Sequence, residues 1–115
     1  MIKLRKPGKL IVSDLSDSKL NTALELGADA VINPAKQNFL ETISNLTDGA
    51  MIDTSIECVG VQASANQSIQ CLKVGGTSVW VGMSQKEMTI NMQDIVCSAR
   101  RVLGSFNYTH KEFGQ

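Results

Sequence analysis

The sequence predicts an α/β fold built as a doubly wound parallel sheet with right-handed crossovers. Three observations carry that expectation. Short apolar runs (LIV at 10–12, AVI at 30–32, SVWV at 78–81) have the length and composition of strands buried on both faces. Between such runs lie segments of roughly ten residues whose apolar positions recur at helical spacing. The two signals alternate from one end of the chain to the other without repeats, low-complexity tracts or linkers. The 115 residues are therefore expected to form one domain, 1–115.

Leu10, Ile11 and Val12 make the first strand, which ends at the acid Asp14. Ser16 is placed as the N-cap of the following helix, and Asp17 complements its positive end. Leu20, Ala23 and Leu24 face inward, and Gly27 stops the helix. Ala30 to Ile32 form the next strand, broken at Asn33-Pro34; Phe39, Leu40, Ile43 and Leu46 then mark a second helix that stops at Asp48-Gly49. Met51 to Cys58 is a strand leading into Val59-Gly60, followed by a helix with Ala65, Ile69 and Leu72 inward. Gly75-Gly76 is expected to turn the chain into TSVWVGM, the most strand-like run present. An extended piece, Met88 to Asn91, precedes a brief helix at Asp94 to Ala99 and a last strand from Arg101 to about Asn107.

Composition narrows the function classes. The net charge is zero and the charged residues are dispersed, which argues against a nucleic-acid partner. No apolar run approaches the roughly 20 residues that cross a bilayer, and MIKLRKPGK lacks the apolar region of a signal peptide. Cys58, Cys71 and Cys97 are scattered through apolar segments and read as buried free thiols, which suits a reducing, cytoplasmic setting.

The stretch KLIVSDLSDSKLNTALELGADAVINP carries the strongest chemical signal. It is a βαβ half-unit with the carboxylate of Asp14 at the tip of its first strand. In a dinucleotide-binding sheet such an acid accepts hydrogen bonds from both ribose hydroxyls and repels a 2′-phosphate. The alternative for Asp14 is a loop acid that caps the helix, and for Lys19 a solvated first-turn lysine. Glu57 reads as a structural acid bonded to a neighbouring loop, Trp80 as sheet core, Arg100-Arg101 as a solvated turn pair and His110 as a surface residue. Ser84 and Tyr108 lack the partners that nucleophilic or acid–base catalysis needs, and a lone histidine builds no zinc site.

Four stretches in register, IVSDLSDSKLNTALELGADAVINP, NLTDGAMIDTSIECVG, LKVGGTSVWVGMS and RRVLGSFNYTHKEF, give the chain its resemblance. It resembles the Rossmann-like cofactor-binding domain of zinc-type medium-chain alcohol and polyol dehydrogenases, the sorbitol and threonine dehydrogenase branches included. The resemblance implies that Asp14 binds the adenosine ribose with Lys19 nearby, and that Val59 and Gly60 lie against the adenosine half. It places Gly82, Met83 and Ser84 near the nicotinamide, and Ser105, Phe106 and Asn107 at its carboxamide. Leu15 after the ribose acid is no phosphate partner, which implies NAD rather than NADP. Thr89, Ile90 and Asn91 become a candidate contact between subunits of a homo-oligomer.

Two departures qualify the implied function. The catalytic domain with the zinc ligands is missing, so no catalytic or metal residue is assigned and the chain alone is expected to be inactive. The first strand of the nucleotide fold and its Gly-x-Gly-x-x-Gly turn are also missing, and Met1 to Lys6 match only the last turns of the helix that follows that turn. A stand-alone nucleotide-binding or oligomerisation module, and an inactive remnant or fragment of a longer chain, are the competing readings. The missing strand is the central one of the 3-2-1-4-5-6 order. Four buried apolar side chains there are worth roughly 6–12 kcal/mol, comparable with the net stability of a whole domain, about 5–15 kcal/mol. The expected outcomes are direct closure of the two orphaned strands, pairing of their edges with another copy, or an unstable chain, with oligomerisation or closure favoured.

Overall fold

The computed structural model describes residues 1–6, 8–82, 84–85 and 87–104. Six strands form one sheet: β1 (Ile2–Lys6), β2 (Lys9–Ser13), β3 (Ala30–Ile32), β4 (Ile52–Glu57), β5 (Leu72–Trp80) and β6 (Arg101–Gly104). The helices are α1 (Asp17–Glu25), α2 (Phe39–Leu46), α3 (Gln62–Gln70) and the single-turn α4 (Gln93–Val96). The spatial order is β3-β2-β1-β4-β5-β6, that of a doubly wound Rossmann-like sheet. β2 with β3, β4 with β5, and β5 with β6 are parallel, as the alternating sequence pattern predicts.

The central strand departs from expectation. Met1 to Lys6 are not the end of a helix: residues 2–6 form β1, which fills the gap between β2 and β4 and runs antiparallel to both. Ile2 and Leu4 are buried while Lys3 and Arg5 are exposed, the alternation of an antiparallel strand with one wet face. Sequence reading missed it because a five-residue run carrying three cations looks polar, although its period of two is present. Neither direct closure of β2 on β4 nor an unpaired inner edge occurs within the chain; β1 supplies ladders to both neighbours.

Ile2, Leu4, Ile11, Ile32, Phe39, Ile43, Ile52, Cys71 and Leu72 form the main core, with α2 covering this face of the sheet. Val12, alternate to Ile11, points to the other face and borders the inner side of α1 with Ala23. α1 begins as expected: Ser16 Oγ accepts from Lys19 N at 3.3 Å, and Leu20 is buried, but Leu24 is mostly outside the core. α3 buries Ala65 and Ile69 as predicted. Ser68 on α3 joins a buried hydroxyl cluster: its carbonyl accepts from Ser55 Oγ at 2.6 Å, and its Oγ lies 2.9 Å from Ser78 Oγ. The Trp80 indole N–H, half-buried at the end of β5, donates into the same cluster at 3.1–3.2 Å.

Several local expectations are corrected. Leu72 belongs to β5 rather than to the preceding helix, and Gly75-Gly76 lie inside that strand rather than turning into it. The strand passes them by an irregularity: Gly75 has φ +77°, and the β4–β5 register shifts between Ile52 and Thr54. The brief fourth helix spans 93–96 rather than 94–99. Only Cys71 is buried; Cys58 and Cys97 are exposed, and none of the three is in a disulfide. Arg100 is not a solvated turn residue: its guanidinium donates to the Asp94 carbonyl at 2.7 Å and the Leu72 carbonyl at 2.8 Å, whereas Arg101 is exposed. The last strand is described through Gly104; the remainder of its expected span lies outside the described residues.

Candidate functional site

β2 and β4 end at the same edge of the sheet, and the turns that leave them frame a cleft of about 390 Å³. One wall begins at Asp14. Its backbone N–H donates to the Ile32 carbonyl at 3.1 Å, extending the β2–β3 ladder by one residue. Its Oδ1 accepts from Ser16 N at 2.9 Å, and Oδ2 lies 3.8 Å from the Met1 amino nitrogen. The carboxylate is therefore fixed at the strand tip by the turn that starts α1, with one oxygen mostly uncommitted.

Asn33, at the end of β3, holds that turn from below. It is 5 % exposed, and its Nδ2 donates to the Leu15 carbonyl at 3.1 Å and Asp17 Oδ1 at 3.0 Å. Its Oδ1 accepts from Ala35 N at 3.0 Å. Lys36 also donates to the Asp17 carboxylate. These hydrogen bonds, from Lys36 first and Asn33 second, hold the Asp17 carboxyl below the usual carboxylate range.

The opposite wall is built on Glu57, whose side chain is 1 % exposed at the end of β4. Its Oε1 accepts from Val59 N at 3.1 Å and Gly60 N at 2.8 Å, and its Oε2 accepts from the Ser64 hydroxyl. These donors satisfy the buried carboxylate, giving it the structural role its sequence position suggested. The Glu57 carbonyl accepts from Val81 N and Gly82 N at 2.8 and 3.1 Å. Ser84 Oγ donates to the Val59 carbonyl at 2.6 Å, and Gln85 N to the Gly60 carbonyl at 2.8 Å. At Gly82 a Cβ would lie 2.2 Å from Gly60 N, so only glycine permits this approach of the two backbones.

Of the residues singled out in the sequence, Asp14, Lys19 and Val59 line one cleft. Gly60 forms the turn beside it, Gly82 packs on Gly60, and Ser84 is tied to Val59. Met83, Ser105, Phe106 and Asn107 lie outside the described residues, as do Tyr108 and His110. Thr89 is held at the rim of α3, its N–H donating to Gln62 Oε1 at 3.0 Å and its carbonyl accepting from Asn66 at 3.2 Å. Among the described residues, 88–91 pair with no strand of the sheet. Sequence reasoning missed Ser64 and Gln67, which face the cleft from α3, and the bridging role of Asn33. Asn33-Pro34 announced a turn, but spacing alone does not show which loop an asparagine side chain reaches. Among the described residues, no three His, Cys, Asp or Glu side chains come together as a metal site, and no helix is long and apolar enough to cross a membrane.

Comparison with known proteins bears on the family and the fold. Residues 3–115 match the family model described as zinc-binding dehydrogenase. Sorbitol dehydrogenase of Gallus gallus is 35 % identical over 109 residues, covering 92 % of this chain and 30 % of that protein. An alcohol dehydrogenase of Cupriavidus necator is 37 % identical over 81 residues, covering 70 % of this chain and 22 % of its own length. Among solved structures, 2R,3R-butanediol dehydrogenase from Bacillus subtilis superposes with a TM-score of 0.78 at 31 % identity, over 85 % of this chain and 28 % of its own. A zinc-binding dehydrogenase structure from Sinorhizobium meliloti 1021, bound to NADP, gives a TM-score of 0.75 at 33 % identity, over 86 % and 30 % of the two chains. The chain thus spans less than a third of the length of these relatives. By sequence and by fold, the chain belongs to the zinc-binding dehydrogenase family and corresponds to part of the cofactor-binding domain of its alcohol and polyol dehydrogenases.

Proposed function

We propose that this chain is the NAD-binding portion of a zinc-dependent alcohol or polyol dehydrogenase, whose complete form transfers hydride between a secondary alcohol and NAD. The observation that carries the reading is the position of Asp14: a carboxylate fixed at the tip of β2, on the rim of a cleft shared with Lys19 and Val59. That is where a doubly wound sheet receives an adenosine ribose. Leu15 beside it offers no cation for a 2′-phosphate, which favours NAD over NADP. Val59 and Gly60 serve the adenosine half, and Gly82, Met83 and Ser84 the path towards the nicotinamide, with Ser105, Phe106 and Asn107 at the carboxamide. In the complete enzyme zinc and the catalytic side chains would come from outside residues 1–115, and these residues by themselves are proposed to be inactive. Residues 1–115 act as a single partial domain, in the cytoplasm, where the exposed thiols of Cys58 and Cys97 stay reduced.

Titration of the full chain with NADH, followed by Trp80 fluorescence and energy transfer to the nicotinamide, tests this reading. Saturable binding that Asp14→Ala weakens is the expected result. No binding up to millimolar NADH, by a chain that circular dichroism shows to be folded, would leave the fold without its function. A second reading, a non-enzymatic nucleotide-binding or oligomerisation module, is favoured by one specific feature. β1 fills the centre of the sheet without a glycine-rich turn. We further propose that the chain forms a homo-oligomer through Thr89, Ile90 and Asn91 or through the exposed sheet edges. Light scattering coupled to size exclusion checks this, a monomer at all concentrations being the result against it.

A further inference from the structure

Resting on that reading of the cleft, we infer that Gln85 is a positioning residue for the nucleotide. It holds the α3 wall and the Val59-Gly60 turn in place from outside the cleft. The start of α3 is the first observation. Ser16 caps α1 and Asn38 caps α2 from the position just before each helix, whereas Val61 has no side-chain acceptor to give α3. The acceptor comes from 23 positions away, Gln62 N donating to Gln85 Oε1 at 2.6 Å. The Gln62 side chain reaches the other way, its Oε1 accepting from Thr89 N at 3.0 Å. Asn66, one turn further along α3, donates to the Thr89 carbonyl at 3.2 Å. The side-chain amides of Gln62, Asn66 and Gln85 thus tie the start of α3 to Gln85 and Thr89.

The adjoining turn is fixed from two sides. Val59 N and Gly60 N are held by the buried Glu57 carboxylate, at 3.1 and 2.8 Å. Their carbonyls are held from the other side, Val59 by Ser84 Oγ at 2.6 Å and Gly60 by Gln85 N at 2.8 Å. Every backbone polar group of the turn is therefore paired, and Gln85 supplies one of the partners while its side chain caps the helix. Val59 in the turn, and Val61, Ala63 and Ser64 at the start of α3, line the cleft with Asp14; Gln85 stands outside that lining. A helix start that loses its cap frays over the first turn, and here that turn is the wall on which a base would pack. Loss of the Gln85 acceptor therefore weakens nucleotide binding without removing a group that touches the nucleotide. The coupling runs both ways. A ligand that favours the formed wall must hold the Gln85 and Thr89 contacts closed by the same factor.

Isothermal titration of the full chain with adenosine, which carries neither nicotinamide nor charge, tests the inference, with circular dichroism to show that each variant is folded. Gln85→Leu removes the acceptor and should weaken binding about three- to tenfold. Gln85→Glu keeps an acceptor and sets a negative charge at the positive end of α3, so it should bind within about twofold of the parent chain. Equal binding by Gln85→Leu and the parent, or no rescue by Gln85→Glu, would overturn the inference and leave the adenosine reading of the cleft in place. Hydrogen exchange on the parent chain needs no variant. Saturating adenosine should slow exchange of the Gln85 and Thr89 amides about three- to tenfold, and unchanged rates would overturn the inference equally. Failure of the folded parent chain to bind adenosine would remove the reading of the cleft and the inference together.

Discussion

Gly82 shows how little freedom a single position in this site has. The nearest backbone atoms to a Cβ there, Gly60 N and the Val59 carbonyl carbon, would sit at 2.2 and 2.4 Å, and neither is the end of a flexible side chain. Gly82→Ala must push the Val59-Gly60 turn off the Glu57 carboxylate, breaking hydrogen bonds as well as overpacking. A loss of about 2–4 kcal/mol is expected in urea unfolding, above the usual 1–3 kcal/mol of overpacking alone. Weaker nucleotide binding should accompany it if the turn forms the cleft wall. Sequence reading marked Gly82 for a place beside the nicotinamide, and that role rests on the family resemblance. The contact with Gly60 was not legible, since two glycines 22 positions apart reveal their meeting only once β4 and β5 are paired. Asp14 was legible because a strand tip followed by a capped helix is a local pattern. Asn33 and Glu57 were seen only in outline, because what they bond to is set by the packing of separate turns.

At the scale of elements, long amphipathic signals were read well and short or mixed ones poorly. α1 and α3 carry caps or apolar spacing over nine residues each, and both stand where expected. β1 is the counterexample: its buried half is only Ile2 and Leu4, and its cations dominate the composition. Yet Leu4 is fully buried, between Ile11 and Ser55 on the flanking strands. Leu4→Ala is expected to cost about 2–5 kcal/mol, a large share of the stability of a domain this size. Lys3→Ala, on the wet face of the same strand, should cost within about 0.5 kcal/mol. Chemical denaturation of the two variants separates a core strand from a surface ribbon; equal effects would show that β1 does not hold the centre of the sheet.

For the whole molecule, the pH response follows from the one thiol that is out of reach of water. Burial pushes the Cys71 thiol up to about 12 from an ordinary 9.0. Between those values the unfolded chain releases the proton and the folded chain keeps it. The unfolded state is therefore favoured progressively as pH rises from about 9 towards 12, at a slope approaching 1.4 kcal/mol per pH unit. Below the unfolded value the contribution is constant. A Cys71→Ala variant lacks this slope, so the stability difference between it and the parent chain should narrow above pH 9, measured by urea midpoints across the alkaline range. A constant difference would mean that the thiol ionises in the folded chain as readily as in the unfolded one.

The reversed strand at the centre also bears on how the chain reaches this structure. A parallel sheet is slow to assemble, because each neighbour pair waits for a crossover of many residues to close. Here the middle of the sheet is a hairpin whose most distant partners, Ile2 and Ser13, are eleven positions apart. Hairpins form in roughly microseconds, before the crossover pairings that follow. The strand that a parallel fold would place last in difficulty is thus available first, as a two-stranded template onto which β3 and β4 add from either side.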